Sequence, residues 1–94
     1  MGFFSAALLG FAPHNAAAEN MNPELLGATC VVCHGQGGHS QGHIPAIDAM
    51  SADKIATTMR EFRDGKRANT IMGKIAKGFS DAQIDLVASH FGAK

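Results

Sequence analysis

Cys30-Val31-Val32-Cys33-His34 constrains this chain more than any other stretch. Two thiols two residues apart, with a histidine directly after the second, form the signature for covalent attachment of c-type haem. The spacing has a chemical reason. Each thiol forms a thioether with one vinyl group of the porphyrin, and one helical turn presents both sulfurs to the same edge of the macrocycle. His34 then falls beneath the iron and offers an axial nitrogen. With 94 residues, no Trp, no Tyr and six Phe, the chain has little aromatic bulk of its own to bury. Domains of this size commonly recruit a disulfide, a metal or another staple, and a haem would supply the missing core.

Two other readings of the cysteine pair stay open. A redox dithiol belongs in a βαβ context, and no strand pattern surrounds this one. Zinc could recruit His39 and His43. Zinc modules, however, usually leave about 12–15 residues between the thiol pair and the histidine pair. Here five residues separate Cys33 from His39, which cramps a four-coordinate site. Two cysteines are too few for a disulfide scaffold. A formal net charge of zero gives no general attraction to nucleic acid or anionic membrane.

Taken in order, residues 1–18 carry an apolar run from Phe3 to Ala12 and then Ala16-Ala17-Ala18 before Glu19. This has the form of a secretory signal, although no Lys or Arg precedes the run. An apolar helix that stays and anchors is the alternative. The run is too short to span a bilayer, and the expected domain covers residues 19–94. Asn22-Pro23-Glu24 reads as a helix start: a cap, a proline at the first position and an acid in the first turn. Leu25 and Leu26 continue a short helix into Cys30. Glycines at 35, 37, 38 and 42 then mark a loop.

Ser51 opens the clearest helix. Ile55, Met59 and Phe62 recur at helical spacing with Thr58 beside them, Arg60, Glu61 and Asp64 fall on the other side, and Gly65 closes it. Lys66 to Ile71 reads as irregular, and Met72-Gly73 precedes a short turn over Lys74–Lys77. Ser80-Asp81-Ala82-Gln83 has capping-box form and starts a last helix with Ile84, Val87, Ala88 and Phe91 on one face. Neither strand-like alternation nor an internal repeat occurs. The fold class expected is all-α.

From Leu25 to Phe91 the chain resembles the class I cytochromes c, and the run TIMGKIAKGFSDAQIDLVASHF is similar to part of the haem subunit of flavocytochrome c sulfide dehydrogenase. That subunit carries two haem domains; a single CxxCH stands here. The resemblance implies three to four helices wrapped around one covalently attached haem c. It also implies that the carbonyl of a loop proline, Pro45, accepts the second ring N–H of His34, as ligating histidines require. An ordinary loop proline is the plainer reading of Pro45.

The sixth coordination position has several candidates: Met21, Met50, Met59 and Met72, then His39, His43 and His90. Met59 lies on the apolar stripe, where methionine is usually packing, and is expected to touch the haem without ligating it. Met72 reads as part of a loop ahead of the last helix, and a loop there is where class I cytochromes c supply their methionine. The resemblance therefore implies His34 and Met72 as metal ligands, with Cys30, Cys33, Pro45 and Met59 completing the haem-binding set.

Such ligation implies an electron carrier rather than an enzyme, exported to the periplasm, passing single electrons between redox proteins. The alternatives are a haem subunit of a flavoprotein complex, or a ligand-binding haem with a labile sixth site. Partners would be a flavoprotein dehydrogenase or terminal oxidase with an acidic docking face. Seven of the eight cationic residues lie between Lys54 and Lys77, against Glu61 and Asp64 as the acids there. This is either a solvated helix face or, through Lys66, Arg67, Lys74 and Lys77 around Met72, a steering surface. Some of these, or Arg63, could instead pair with the haem propionates.

Overall fold

The computed structural model describes residues 20–68 and 70–93. The expected signal segment, Asn69 and Lys94 lie outside them. Among the described residues there are four α-helices and no strand: α1 (Pro23–His34), α2 (Ala52–Arg63), α3 (Ile71–Ala76) and α4 (Asp81–Phe91). Among the described residues no helix is long and apolar enough to cross a membrane.

Helix α1 starts as its sequence requires. The Asn22 side chain accepts from the backbone N–H groups of Glu24 and Leu25 at 2.9 and 3.2 Å, satisfying two of the donors that a helix start leaves free. The helix does not stop at Cys30 but runs through the whole CxxCH motif to His34. Gly35 ends it, its N–H returning to the Val31 carbonyl at 3.0 Å. A single 3₁₀ turn, Gln36–Gly38, follows within the expected glycine loop.

Helix α2 is capped by Ser51, whose hydroxyl accepts from the Lys54 N–H at 3.1 Å. Its far end is a Schellman motif. The Gly65 N–H reaches the Phe62 carbonyl, and the Lys66 N–H reaches that of Glu61 at 2.8 Å. The motif needs a left-handed residue between them, and Gly65 sits at φ +76°. Helix α4 has the reciprocal capping box. Ser80 Oγ accepts from the Gln83 N–H, and Gln83 Oε1 accepts from the Ser80 N–H.

One expectation fails. The turn expected over Lys74–Lys77 is instead a helix that begins earlier: Ile71–Ala76 forms α3, taking in Ile71 from the stretch read as irregular, and Met72 sits in its first turn. Thr70 is the cap, its hydroxyl accepting from the Met72 N–H at 3.2 Å. Six residues are too few to display a period, so a helix this short owes its stability to packing rather than pattern. It leans on α2.

The core is small. Ile55, Ala56 and Met59 from α2, Ala76 from α3, and Ile84, Val87, Ala88 and Phe91 from α4 are buried. All four residues expected on the inner face of α4 are among them. Leu26, Cys30 and Val31 of α1 pack against this cluster from outside. Polar contacts lock α2 to α4 over it. Arg60 donates to Asp81 at 2.9 Å and to Asp85 at 2.7 Å, and Arg63 donates to Asp81 at 2.8 Å. The Ala93 N–H bonds the Met50 carbonyl and pins the end of α4 to the start of α2.

The Arg60 guanidinium first, and Arg63 second, holds the Asp81 carboxyl below the usual carboxylate range. A lowered folded-state pKa stabilises the fold fully above the unfolded value of about 3.9, and that contribution is lost as pH falls through the folded value. Acid unfolding followed by helical circular dichroism should therefore show a steep limb below about pH 4. In Asp81→Asn the same limb should be shallower and the neutral-pH stability lower.

Candidate haem site

Residues from all four helices and the 44–50 segment surround a cavity of ≈ 510 Å³. That lies within the span of about 300–1,000 Å³ typical of cofactor and ligand sites. Cys30, Cys33 and His34 line one wall, from the last turn and a half of α1. Ile55, Thr58, Met59 and Phe62 of α2 form a second wall, and Ile71, Met72 and Ile75 of α3 a third, with Val87 of α4 between them. Ile44, Pro45, Ile47 and Met50 close the remaining side.

His34 is held ready to coordinate. Its Nδ1 lies 2.6 Å from the Pro45 carbonyl oxygen. A carbonyl can only accept, so Nδ1 carries the hydrogen and Nε2 keeps its lone pair free to bind a metal. The loop that brings Pro45 there is closed at its base by Gly38, whose carbonyl accepts from Ile47 at 2.8 Å and Asp48 at 3.2 Å. His39 Nδ1 donates to Asp48 Oδ2 at 2.9 Å across the same base. His39 is thus engaged with a carboxylate, and His43 is exposed in the loop. Among the described residues, no group of three or more His, Cys, Asp or Glu side chains comes together as a metal site. The zinc reading therefore finds no ligand cluster there.

The two cysteines differ in setting. Cys30 is half-buried, and burial pushes its thiol pKa up, with a hydrogen bond to Thr29 opposing. Cys33 is exposed at the cavity edge. A redox dithiol is activated by a lowered thiol pKa, and Cys30 moves the other way.

The methionines separate by burial. Met59 is 6% exposed and belongs to the core while lining the cavity. Met50 and Met72 line it half-buried, and Met21 lies outside it. His90 is exposed and packs edge-on against Phe91. Arg63, considered above as a partner for propionates, is held by Asp64 and Asp81 and is not on the cavity wall. Of the cations, Arg67 is on it.

One polar atom on the apolar wall is unsatisfied: Thr58 Oγ1 is buried and without a partner among the described residues. Leaving such a group unpaired costs about 1–3 kcal/mol. A flat apolar group with polar substituents at its rim suits these walls, and the pair of thiols beside a primed histidine suits its covalent attachment.

The sequence pattern of the cytochrome c family matches residues 23–91. The chain belongs to the cytochrome c family. Haem c is the covalent cofactor of that family, and Cys30 and Cys33 fit its CxxCH motif. The chain is 41% identical over 69 residues to the cytochrome subunit of sulfide dehydrogenase from Chlorobaculum tepidum, covering 73% of this chain and 63% of that protein. It is 34% identical over 87 residues to the thiosulfate dehydrogenase electron acceptor of Thiomonas intermedia, covering 90% of this chain and 38% of that protein. Cytochrome c-554(547) of Halothiobacillus neapolitanus is 27% identical over 77 residues. The chain thus spans less than two thirds of the length of the first two relatives.

Purified protein should retain its pigment on the polypeptide after acid-acetone denaturation, and intact mass should give one haem per chain. Pro45→Gly keeps the carbonyl but frees the backbone torsion that aims it. The haem should stay attached in that variant while its reduction potential rises, read by potentiometric titration, because an imidazole held less firmly by its acceptor is a weaker donor to ferric iron.

Proposed function

We propose that the protein is a monohaem carrier that passes single electrons between periplasmic redox partners, with its iron held between His34 and Met72. The observation that carries the reading is that these two side chains line one cavity, with the imidazole already anchored. Bound haem supplies the one-electron chemistry. The chain's residues tune it. Pro45 accepts the Nδ1 proton, which fixes the ring and makes Nε2 a better donor. Met72 offers a soft thioether sulfur, which favours ferrous iron and a higher potential than a second histidine would. Ile55, Phe62, Ile75 and Val87 keep water from the same space, which disfavours the more highly charged ferric state. Were His34 and Met72 both to ligate the iron, no position would be left on it for a substrate, which suits a carrier rather than an enzyme.

The placement of Met72 on a capped helix supports this reading better than the loop expected from sequence. A ligand on a rigid element moves less between oxidation states, which keeps reorganisation small. Export follows from the cofactor, since c-type haem is attached outside the cytoplasmic membrane.

Charge and exposure suggest the docking face. Among the described residues, Arg60, Arg63 and Arg67 are tied to carboxylates, while Lys66, Lys74 and Lys77 enter none of the ion pairs. Ile71, 65% exposed, lines the cavity and lies three residues before Lys74 on α3. An exposed apolar side chain with unpaired lysines on the same stretch of chain suits a partner with an acidic rim. The relatives named for sulfide and thiosulfate dehydrogenases favour a dehydrogenase as electron donor, either in a stable complex or in passing contact.

Replacing Met72 with alanine should leave the haem attached, abolish the weak red-edge band of methionine-ligated ferric haem, lower the potential and admit carbon monoxide. An unchanged spectrum in Met72→Ala, with the band lost in Met50→Ala or Met59→Ala, would move the ligand elsewhere. Electron exchange with the partner should slow as salt rises, because exposed charges are screened within about 8 Å at physiological ionic strength. Stopped-flow rates for Lys66→Glu with Lys74→Glu should be lower still at low salt.

A further inference from the structure

Haem carries its two vinyl groups on adjacent pyrroles and its two propionates on the other two. Attachment from one side therefore dictates where the carboxylates go. With Cys30 and Cys33 on α1 holding the vinyl edge, the carboxylate edge would face away from α1, where the lining comes from α2, the segment after it, α3 and residues 44–50. This reasoning rests on the attachment proposed above and is independent of which residue fills the sixth position. An ionised carboxylate drawn out of water needs a charged or hydrogen-bonding partner.

Among the residues that line the cavity, one is cationic: Arg67. Its guanidinium is held from two directions. Nε donates to Glu61 Oε1 at 2.8 Å, and the guanidinium carbon lies 5.6 Å from the centre of the Phe62 ring, within reach of a cation–π contact. The turn at Gly65 makes both contacts available by folding the chain after α2 back over Phe62. With Nε engaged, the terminal nitrogens still offer donors in a planar fork that matches a carboxylate. Arg60 and Arg63 are committed to Asp81 and Asp85 away from the cavity. Thr58, one turn before Phe62 on α2, lines the same cavity and holds the unpaired buried hydroxyl.

We infer that Arg67 is the seat of a haem propionate, aimed by Glu61 and Phe62. It is therefore a cofactor-binding residue rather than a member of the docking surface. The consequence is electrostatic. The guanidinium keeps the carboxylate ionised and places positive charge near the iron, which favours the reduced state.

The test is the reduction potential as a function of pH for the purified holoprotein, wild type against Arg67→Gln, Arg67→Lys and Lys66→Gln. Covalent haem is verified by mass in each. Arg67→Gln should lower the potential more than the neighbouring Lys66→Gln. It should also introduce a pH-dependent step, because a carboxylate without its cation titrates at higher pH. Arg67→Lys should recover part of the potential, since an ammonium supplies charge without the fork. Redox difference infrared spectra should show the carboxylate stretch displaced in Arg67→Gln, while the red-edge band stays.

A potential–pH curve for Arg67→Gln that coincides with that of Lys66→Gln overturns the assignment. Loss of the red-edge band in Arg67→Gln with haem still attached also overturns it, because Arg67 would then act by supporting α3. Absence of covalent haem from the wild type, read by mass alone, overturns the attachment reading and this one together.

Discussion

The close approach of α1 to α4 at Gly27 and Phe91 is the constraint on which the rest of the molecule depends. A Cβ at position 27 would stand 2.9 Å from two carbons of the buried Phe91 ring. Alanine would gain up to about 1 kcal/mol in helix propensity. Forcing a methyl group into a packed contact costs about 1–3 kcal/mol, so the steric term prevails and the position demands glycine. The same ring lies against Gly38, whose carbonyl closes the loop that carries Pro45. One aromatic side chain thereby sets both the helix bearing the thiols and the loop aiming the histidine.

Helix α2 divides the work by face. Ile55, Ala56 and Met59 go to the core. Arg60 and Arg63 reach across to the first turns of α4, and Thr58 and Phe62 are left to the cavity. The ionic contacts are solvent-exposed, and such pairs contribute modestly. Their use here is directional: they fix α4 against α2 while leaving the inner side of α2 open.

That opening explains a core that is otherwise sparse. Ile84 and Val87 are the largest side chains fully buried among the described residues, and the apolar groups around the cavity have no protein partner opposite them. Ile44, at the cavity edge, is 41% exposed. A bound haem would cover these surfaces, so the cofactor belongs to the packing as much as to the chemistry. The unpaired Thr58 hydroxyl and the pre-aimed His34 fit a chain folded around a group it must receive.

Much of this was legible in the residues themselves, because local rules act within a few positions. The CxxCH spacing, the Asn22 and Ser51 caps, the Ser80–Gln83 capping box and the apolar face of α4 each depend on neighbours within one or two turns. The separation of Pro45 from His34 was legible only through a family resemblance, and the hydrogen bond between them now has a length. Tertiary structure alone decided the rest. Helix α3 is too short to carry a period, so Met72 reads as loop until Thr70 and the flank of α2 give it a helix. Gly27 looks like a weak spot in a helix until Phe91 crosses it. Arg67 is one cation among seven until the turn at Gly65 folds it over Phe62 onto the cavity wall. In each case the deciding contact joins elements packed in space, and spacing along a chain does not encode which surfaces meet.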